Sequence, residues 1–193
     1  SEHPEDAKRV YFREEEMLFK KKRYRVHNNY ISGGPGLLAS TIRPQTLNMI
    51  GLDFQFHIRW QHFQVGGYNS GVTSNRTSHL QGHLCYGYRY ENTKYNFAVF
   101  GGPAYATGAA PVTFQKNNGV DTVVGVQYFD WGFYVNCQAV KKITFDIGLG
   151  AEVFAEVSRR QTIFGIKVIA FFSGSYRGPK QATNPNVRTY HSK

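Results

Sequence analysis

The chain has 193 residues, a net charge of +10, 16% aromatic side chains and only 19% charged ones. That length supports one domain with a full interior. No uninterrupted apolar run approaches the roughly 20 residues of a membrane-spanning helix, which excludes that class and leaves spanning strands of about 9–11 residues, half of them polar.

In chain order, Pro4 in a first-turn position, early acidic residues, and Ala7, Val10, Tyr11, Met17 and Leu18 near helical spacing predict a short amphipathic helix in an N-terminal segment over residues 1–17. The chain starts at Ser1, as a mature chain does once a secretory leader is removed. From residue 18 the period becomes two. Strands are expected at 18–26, 30–40, 46–68, 78–91, 95–107, 122–140, 143–158 and 162–174, the first of them weak. Residues 18–174 then form one β-domain.

Within 46–68 the apolar set moves from even positions (Phe54, Phe56, Trp60) to odd ones (Phe63, Val65), which predicts a β-bulge near Gln61. Residues 69–77 and 108–121 are expected to be the long loops. Residues 41–45, 92–94 and 141–142 are expected to be short turns. Ile31–Ser–Gly–Gly–Pro–Gly is echoed by Val99–Phe–Gly–Gly–Pro–Ala, which suggests a similar bend in two strands. Residues 175–193 form a basic tail without periodicity and are expected to be flexible.

Successive side chains of a strand point to opposite faces, so each strand carries two sets. The apolar set holds Phe54, Phe56, Trp60, Tyr86, Tyr88, Phe97, Trp131, Phe145, Ile147, Val168 and Phe172. The polar set holds Asp53, His57, Arg59, His83, Arg89, Asp146, Glu152, Glu156 and Lys167. Charges are thin on the polar faces for a solvated surface. If the sheet closes with the apolar set outward, toward lipid, the polar set lines a narrow interior. Acids and bases must then pair there, because a lone buried charge costs several kcal/mol. The expected interior is filled rather than conducting. Cys85 falls in the polar set and Cys137 in the apolar set, so a disulfide between them is not expected.

The basic excess, centred on Lys20 to Arg25 and the tail, comes without a recognition helix or zinc spacing. It reads as a rim beside anionic lipid or lipopolysaccharide, not as a nucleic-acid site. No metal-ligand cluster, GxSxG or phosphate loop is present in the sequence, and no cofactor is expected.

This pattern over about Leu18 to Gly174 resembles the small bacterial outer-membrane β-barrels, the class of outer-membrane proteins A and X. The resemblance implies an all-β, eight-stranded antiparallel transmembrane barrel, placed in the outer membrane with periplasmic termini. One departure is that Phe172 is followed by further residues, where such barrels often end on an aromatic. A helix before eight strands also resembles the lipid A palmitoyltransferase family, whose chemistry implies His, Asp and Ser near the outer rim. Here that points to His79, Ser78 (or Ser74) and Asp121. Asp121–Thr122–Val123 looks like a short Bacteroidota O-glycosylation sequence and hints at an accessory barrel of that source. The expected function is structural or interactive, as an accessory subunit of a larger outer-membrane complex with periplasmic or membrane protein partners. A lipid-modifying enzyme and a soluble lipocalin-like binder are the alternatives.

Overall fold

The structure, a computed structural model, describes residues 15–19, 22–25, 28–41, 46–58, 61–71, 79–117, 120–179 and 188–191. Among these residues there are twelve strands: β1 (Glu15–Phe19), β2 (Lys22–Arg25), β3 (Tyr30–Ser40), β4 (Leu47–Ile58), β5 (Gln61–Ser70), β6 (His79–Glu91), β7 (Tyr95–Asn117), β8 (Val120–Lys142), β9 (Ile147–Ser158), β10 (Thr162–Ser173), β11 (Tyr176–Pro179) and β12 (Arg188–His191). Strands β3 to β10 close an eight-stranded antiparallel barrel in which β10 pairs with β3. The other four form a separate sheet in the order β11-β2-β1-β12.

The eight strands are reached by a different division of the chain from the one expected. Residues 46–68 are two strands, not one bulged strand. Ile58 pairs with Gln61 and Phe56 with Phe63, so the chain reverses between β4 and β5. Every β4–β5 partner pair joins an even number to an odd one. The outward set therefore moves from even to odd across the reversal, and a bulge would leave the same trace in the sequence. The extra strand replaces 18–26, whose described residues belong to β1 and β2 outside the barrel.

Residues 108–121 are not a loop, because β7 and β8 continue as a paired ladder to Asn117 and Val120. The β6 partner of β7 ends at Gly108 and the β9 partner of β8 begins at Gly132, so the hairpin runs on beyond the wall. The expected N-terminal helix lies mostly outside the described residues, and its end is strand β1. The described parts of the expected flexible tail are strands β11 and β12. No helix occurs among the described residues.

Both Gly–Gly–Pro echoes lie in strands, β3 and β7, which are four steps apart in the closed order and so stand on opposite walls. Proline has no N–H to give a ladder. The β10–β3 ladder keeps its register but is interrupted between Lys167↔Gly36 and Ala170↔Gly33, and the β6–β7 ladder likewise between His83↔Ala104 and Tyr86↔Gly101. A Cβ on Gly34 would come within 2.1 Å of the Val168 carbonyl oxygen, and one on Gly102 within 2.2 Å of that of Leu84. Each glycine lets its neighbour's backbone close in beside the proline.

Candidate functional site

The wall is inside out relative to a soluble barrel. Outward positions between the rims carry apolar side chains, glycine or proline, from Ile50 to Ile58 on β4, Leu80 to Tyr90 on β6, Phe129 to Ala139 on β8 and Phe164 to Phe172 on β10. Trp131 is 70% exposed and Val168 61%. Outward polar residues appear at the ends: Asn69, Thr107, Gln127 and Thr162 at one rim, Gln61 and Lys141 at the other. Aromatic rings gather toward both ends. Phe56 stacks on Phe63 at 5.4 Å and Phe63 meets Tyr86 edge-on at 5.6 Å near one. Tyr105 meets Trp131 at 5.0 Å near the other. Phe54, Tyr88, Phe97, Ile147 and Phe172 also point outward.

Phe145 does not. It is 1% exposed, because residues 143–146 form a turn instead of continuing β9. The N–H groups of Ile143 and Thr144 both reach the Ile147 carbonyl, at 2.8 and 3.0 Å. That turn folds Phe145 over the barrel end, against Tyr24 at 4.8 Å and under the Lys142 ammonium at 3.9 Å. Trp60 lies outside the described residues.

The interior is filled in three layers. The middle layer is ionic. Lys167, 1% exposed, binds Asp53 and also Glu152, the latter at 3.0 Å. His83 Nε2 lies 3.0 Å from Asp53, and its ring stacks on Tyr134 at 4.1 Å. The remaining Glu152 valences are met by the Tyr134 hydroxyl at 2.8 Å and the Gln138 amide at 2.7 Å, and Tyr30 donates to Gln138 at 2.9 Å. Buried ions this well partnered satisfy the condition under which a low-dielectric interior holds them.

Near the termini, Arg89 bridges to Glu91 at 2.8 Å, Glu91 binds Lys142, and the Arg89 guanidinium covers the Tyr30 ring at 4.5 Å. Phe145 and Tyr24 close this end. His57 and Asp146 sit at this mouth and not deep in the interior. His57 is half-buried beside Asn29 at 3.1 Å, and Asp146 accepts the Ser175 N–H at 3.0 Å. Arg59 lies outside the described residues.

At the far end the layer is a relay of hydrogen bonds. Ser40 donates to Gln161 at 2.9 Å, Gln161 to the Tyr128 oxygen at 3.3 Å, and Tyr128 to His79 Nδ1. His79 Nε2 then donates to the Tyr68 oxygen at 3.2 Å, and Tyr68 to Glu156 at 2.6 Å. For a neutral His79 ring, Glu156 as terminal acceptor sets this direction from Tyr128 onward, and His79 Nε2 also lies 3.8 Å from the Glu156 carboxylate. Phe154, packed on both Tyr68 at 5.1 Å and Tyr134 at 5.6 Å, separates this layer from the ionic one.

The rim constellation expected for an acyl-transfer enzyme is not assembled. His79 is buried at the head of β6, between Tyr68 and Tyr128, and is not in a loop. Ser78 and Ser74 lie outside the described residues. Asp121 is a β8 residue opposite Lys116, with its side chain outside the described set. Among the described residues no cluster of three or more His, Cys, Asp or Glu could hold a metal. Cys85 is buried, Cys137 is exposed, and both are thiols.

Reading charge alone misses half the interior. Gln64, Gln138, Tyr30, Tyr68 and Tyr134 share the inward parity with Asp53 and Glu152, and that parity is the signal that finds them. Lys142 is missed because Lys141–Lys142 reads as a turn, whereas the strand continues and places Lys141 outward and Lys142 inward.

No family model matches the sequence, and no curated protein does. Solved structures do. Ail, the attachment invasion locus protein of Yersinia pestis, aligns with a TM-score of 0.53 and 7% identity over 78% of this chain and 99% of its own. Neisserial surface protein A aligns at 0.56 and 9% identity, over 75% and 96%. The N-terminal β-barrel domain of Pseudomonas aeruginosa OprF aligns at 0.53 and 8%, over 76% and 98%. At these identities the likeness concerns the fold, and it agrees with the closed strand order: the chain has the fold of the small eight-stranded outer-membrane β-barrels.

Proposed function

We propose that this chain is an integral outer-membrane barrel with a structural or interaction role, an accessory subunit beside a larger outer-membrane complex. The observation that carries this reading is the inverted wall. A band of outward Phe, Tyr, Trp, Leu, Ile and Val encircles a barrel whose charges pair inside. A contiguous apolar surface of that extent is stable only against lipid or protein.

The interior supports a non-conducting barrel, since Lys167, Tyr134, Phe100 and Phe171 are all fully buried within it. Both barrel termini, Tyr30 and Ser173, lie at the end where β4 pairs into β5 at Ile58 and Gln61 and where the turns at 92–94 and 143–146 stand. The connections at 41–46, the first five of which are expected from the sequence to be a short turn, and at 71–78, the three-residue turn at 159–161 and the projecting β7–β8 hairpin lie at the other. By the usual asymmetry of spanning barrels the first end faces the periplasm and the second the exterior, where lipopolysaccharide surrounds the wall.

Extraction from native membranes in mild detergent tests the reading. A stoichiometric outer-membrane or periplasmic partner is expected to co-purify, and the purified barrel is expected to pass no current in a planar bilayer. Recovery only as a monomer overturns the accessory role, and recovery without detergent overturns the membrane assignment.

A further inference from the structure

The four-stranded sheet outside the barrel has two edges, β11 and β12, and they are built differently. Both are four residues long, so length does not distinguish them. The β11 edge is blunted twice. Its register on β2 breaks between Tyr176 and Gly178, and Pro179 has no N–H to offer. Bulges and prolines are the usual devices that stop an edge from recruiting another strand. The β12 edge, Arg188–Thr189–Tyr190–His191, carries neither, and it pairs in unbroken register with β1 from Glu15↔Arg188 to Leu18↔His191. Among the described residues nothing pairs with its other side.

The sheet's charge is equally one-sided. Its only acids, Glu15 and Glu16, each have an arginine as a register partner, Arg188 and Arg25. Lys22, Arg23 and Arg177 add to the basic residues of its strands, which outnumber the acids. Nor is the sheet a loose appendage. Tyr24 of β2 is buried on Phe145 at the barrel mouth, and Ser175, just before β11, is bonded to Asp146.

We propose that β12 is a docking edge that takes an extended, acidic segment of a partner protein as an added strand. Main-chain hydrogen bonds would supply the binding, and the basic excess would select the sequence. The inference rests on the accessory-subunit reading and names the place and chemistry of the contact.

The test uses the full chain in detergent micelles and two labelled synthetic peptides, one alternating Glu and Val and its counterpart alternating Lys and Val. The acidic peptide is expected to bind at least about tenfold more tightly than the basic one. Adjacent strand residues direct their N–H groups to opposite sides, so Thr189→Pro or Tyr190→Pro removes a donor from the open edge and is expected to weaken binding about tenfold. Gly178→Pro, on the edge already blunted, is expected to change it by less than about twofold. Arg188→Glu is a second variant that keeps every N–H, should the prolines misfold the sheet, and it is expected to reduce the preference for the acidic peptide.

Equal binding of both peptides, or indifference to all three β12 variants, overturns the proposal. So does peptide binding that appears only after residues 1–14 are deleted, which would make the chain its own occupant. Light scattering that shows a dimer lost in either β12 proline variant assigns the edge to a second copy and overturns the proposal. Retention on phosphatidylglycerol vesicles, unchanged in the β12 variants, assigns the basic excess to lipid. Thr189→Pro and Tyr190→Pro variants that both still co-purify with the native partner remove the edge but leave the accessory role standing. A wild-type chain that binds the acidic peptide yet has no native partner removes the role and leaves the edge.

Discussion

Lys167 and Val168 are neighbours on β10 and face opposite environments. One is buried between Asp53 and Glu152, and the other looks outward with 61% of its surface exposed. The inner face takes a full charge because two carboxylates, a histidine, a tyrosine and a glutamine are arranged around one another. The outer face, with no partners to offer, carries no charge between its rims. The contrast shows that neither face is simply polar or apolar by location. Each tolerates what its neighbours can satisfy, and strand parity deals residues to one or the other.

The largest effect is expected from Lys167→Met. It keeps the side chain's volume but leaves Asp53 and Glu152 buried without their shared cation. Breaking a buried pair in this way costs about 3–5 kcal/mol. Urea unfolding in lipid vesicles, followed by tryptophan emission and by gel mobility with and without heating, measures it. A loss under about 1 kcal/mol would show that the carboxylates are solvated and the interior is not filled.

Val168→Arg applies the converse change one residue along. A cationic side chain near the bilayer midplane costs a spanning barrel about 2–4 kcal/mol. The same unfolding experiment reads it, and a neutral outcome would mean that the outward face is not in hydrocarbon.

A second contrast lies within the interior. The middle layer is held by charge, whereas the far layer passes one hydrogen bond after another to Glu156 with no lysine or arginine among its members. In Glu156→Gln the amide oxygen still accepts from Tyr68, and only the charge assistance is lost. The expected cost is about 1 kcal/mol, well below that of Lys167→Met. Comparable costs at the two sites would break the distinction between an ionic and a relayed layer.

The sequence carries this division wherever period-two alternation runs unbroken, as from Ile147 to Val157, and loses it where the chain turns without breaking the alternation. Phe145 follows the outward parity of Ile147 and Leu149, yet it belongs to a turn closed by two N–H groups on one carbonyl, which periodicity cannot show. The reversal between β4 and β5 is the mirror case. A tight hairpin and a bulge shift parity identically, and only length separates them, since residues 46–68 are about twice what one crossing requires. Length alone would still mislead at β7 and β8, which are genuinely that long because they run on past the wall. The interior partners are legible only in part. Alternation places Asp53, Glu152 and Lys167 on inward faces, and the β9–β10 hairpin sets Lys167 opposite Glu152, but Asp53 joins them only through strand order around a closed barrel, 114 positions from Lys167.

The smallest expected effect is also the one that separates lipid from any other cause of an apolar exterior. Thr162 is outward like Val168 on the same strand, but it lies at the rim beside the turn at residues 159–161. In a bilayer, Thr162→Arg places its guanidinium among headgroups and costs about 0–1 kcal/mol. Set against Val168→Arg, it reports a depth gradient along one strand with strand pairing held constant. An outer face covered by a protein partner would respond according to that partner's outline, and one in water would respond at neither position. A cost that falls from the middle of β10 to its end requires a solvent that is itself layered, and the membrane is the solvent with that property.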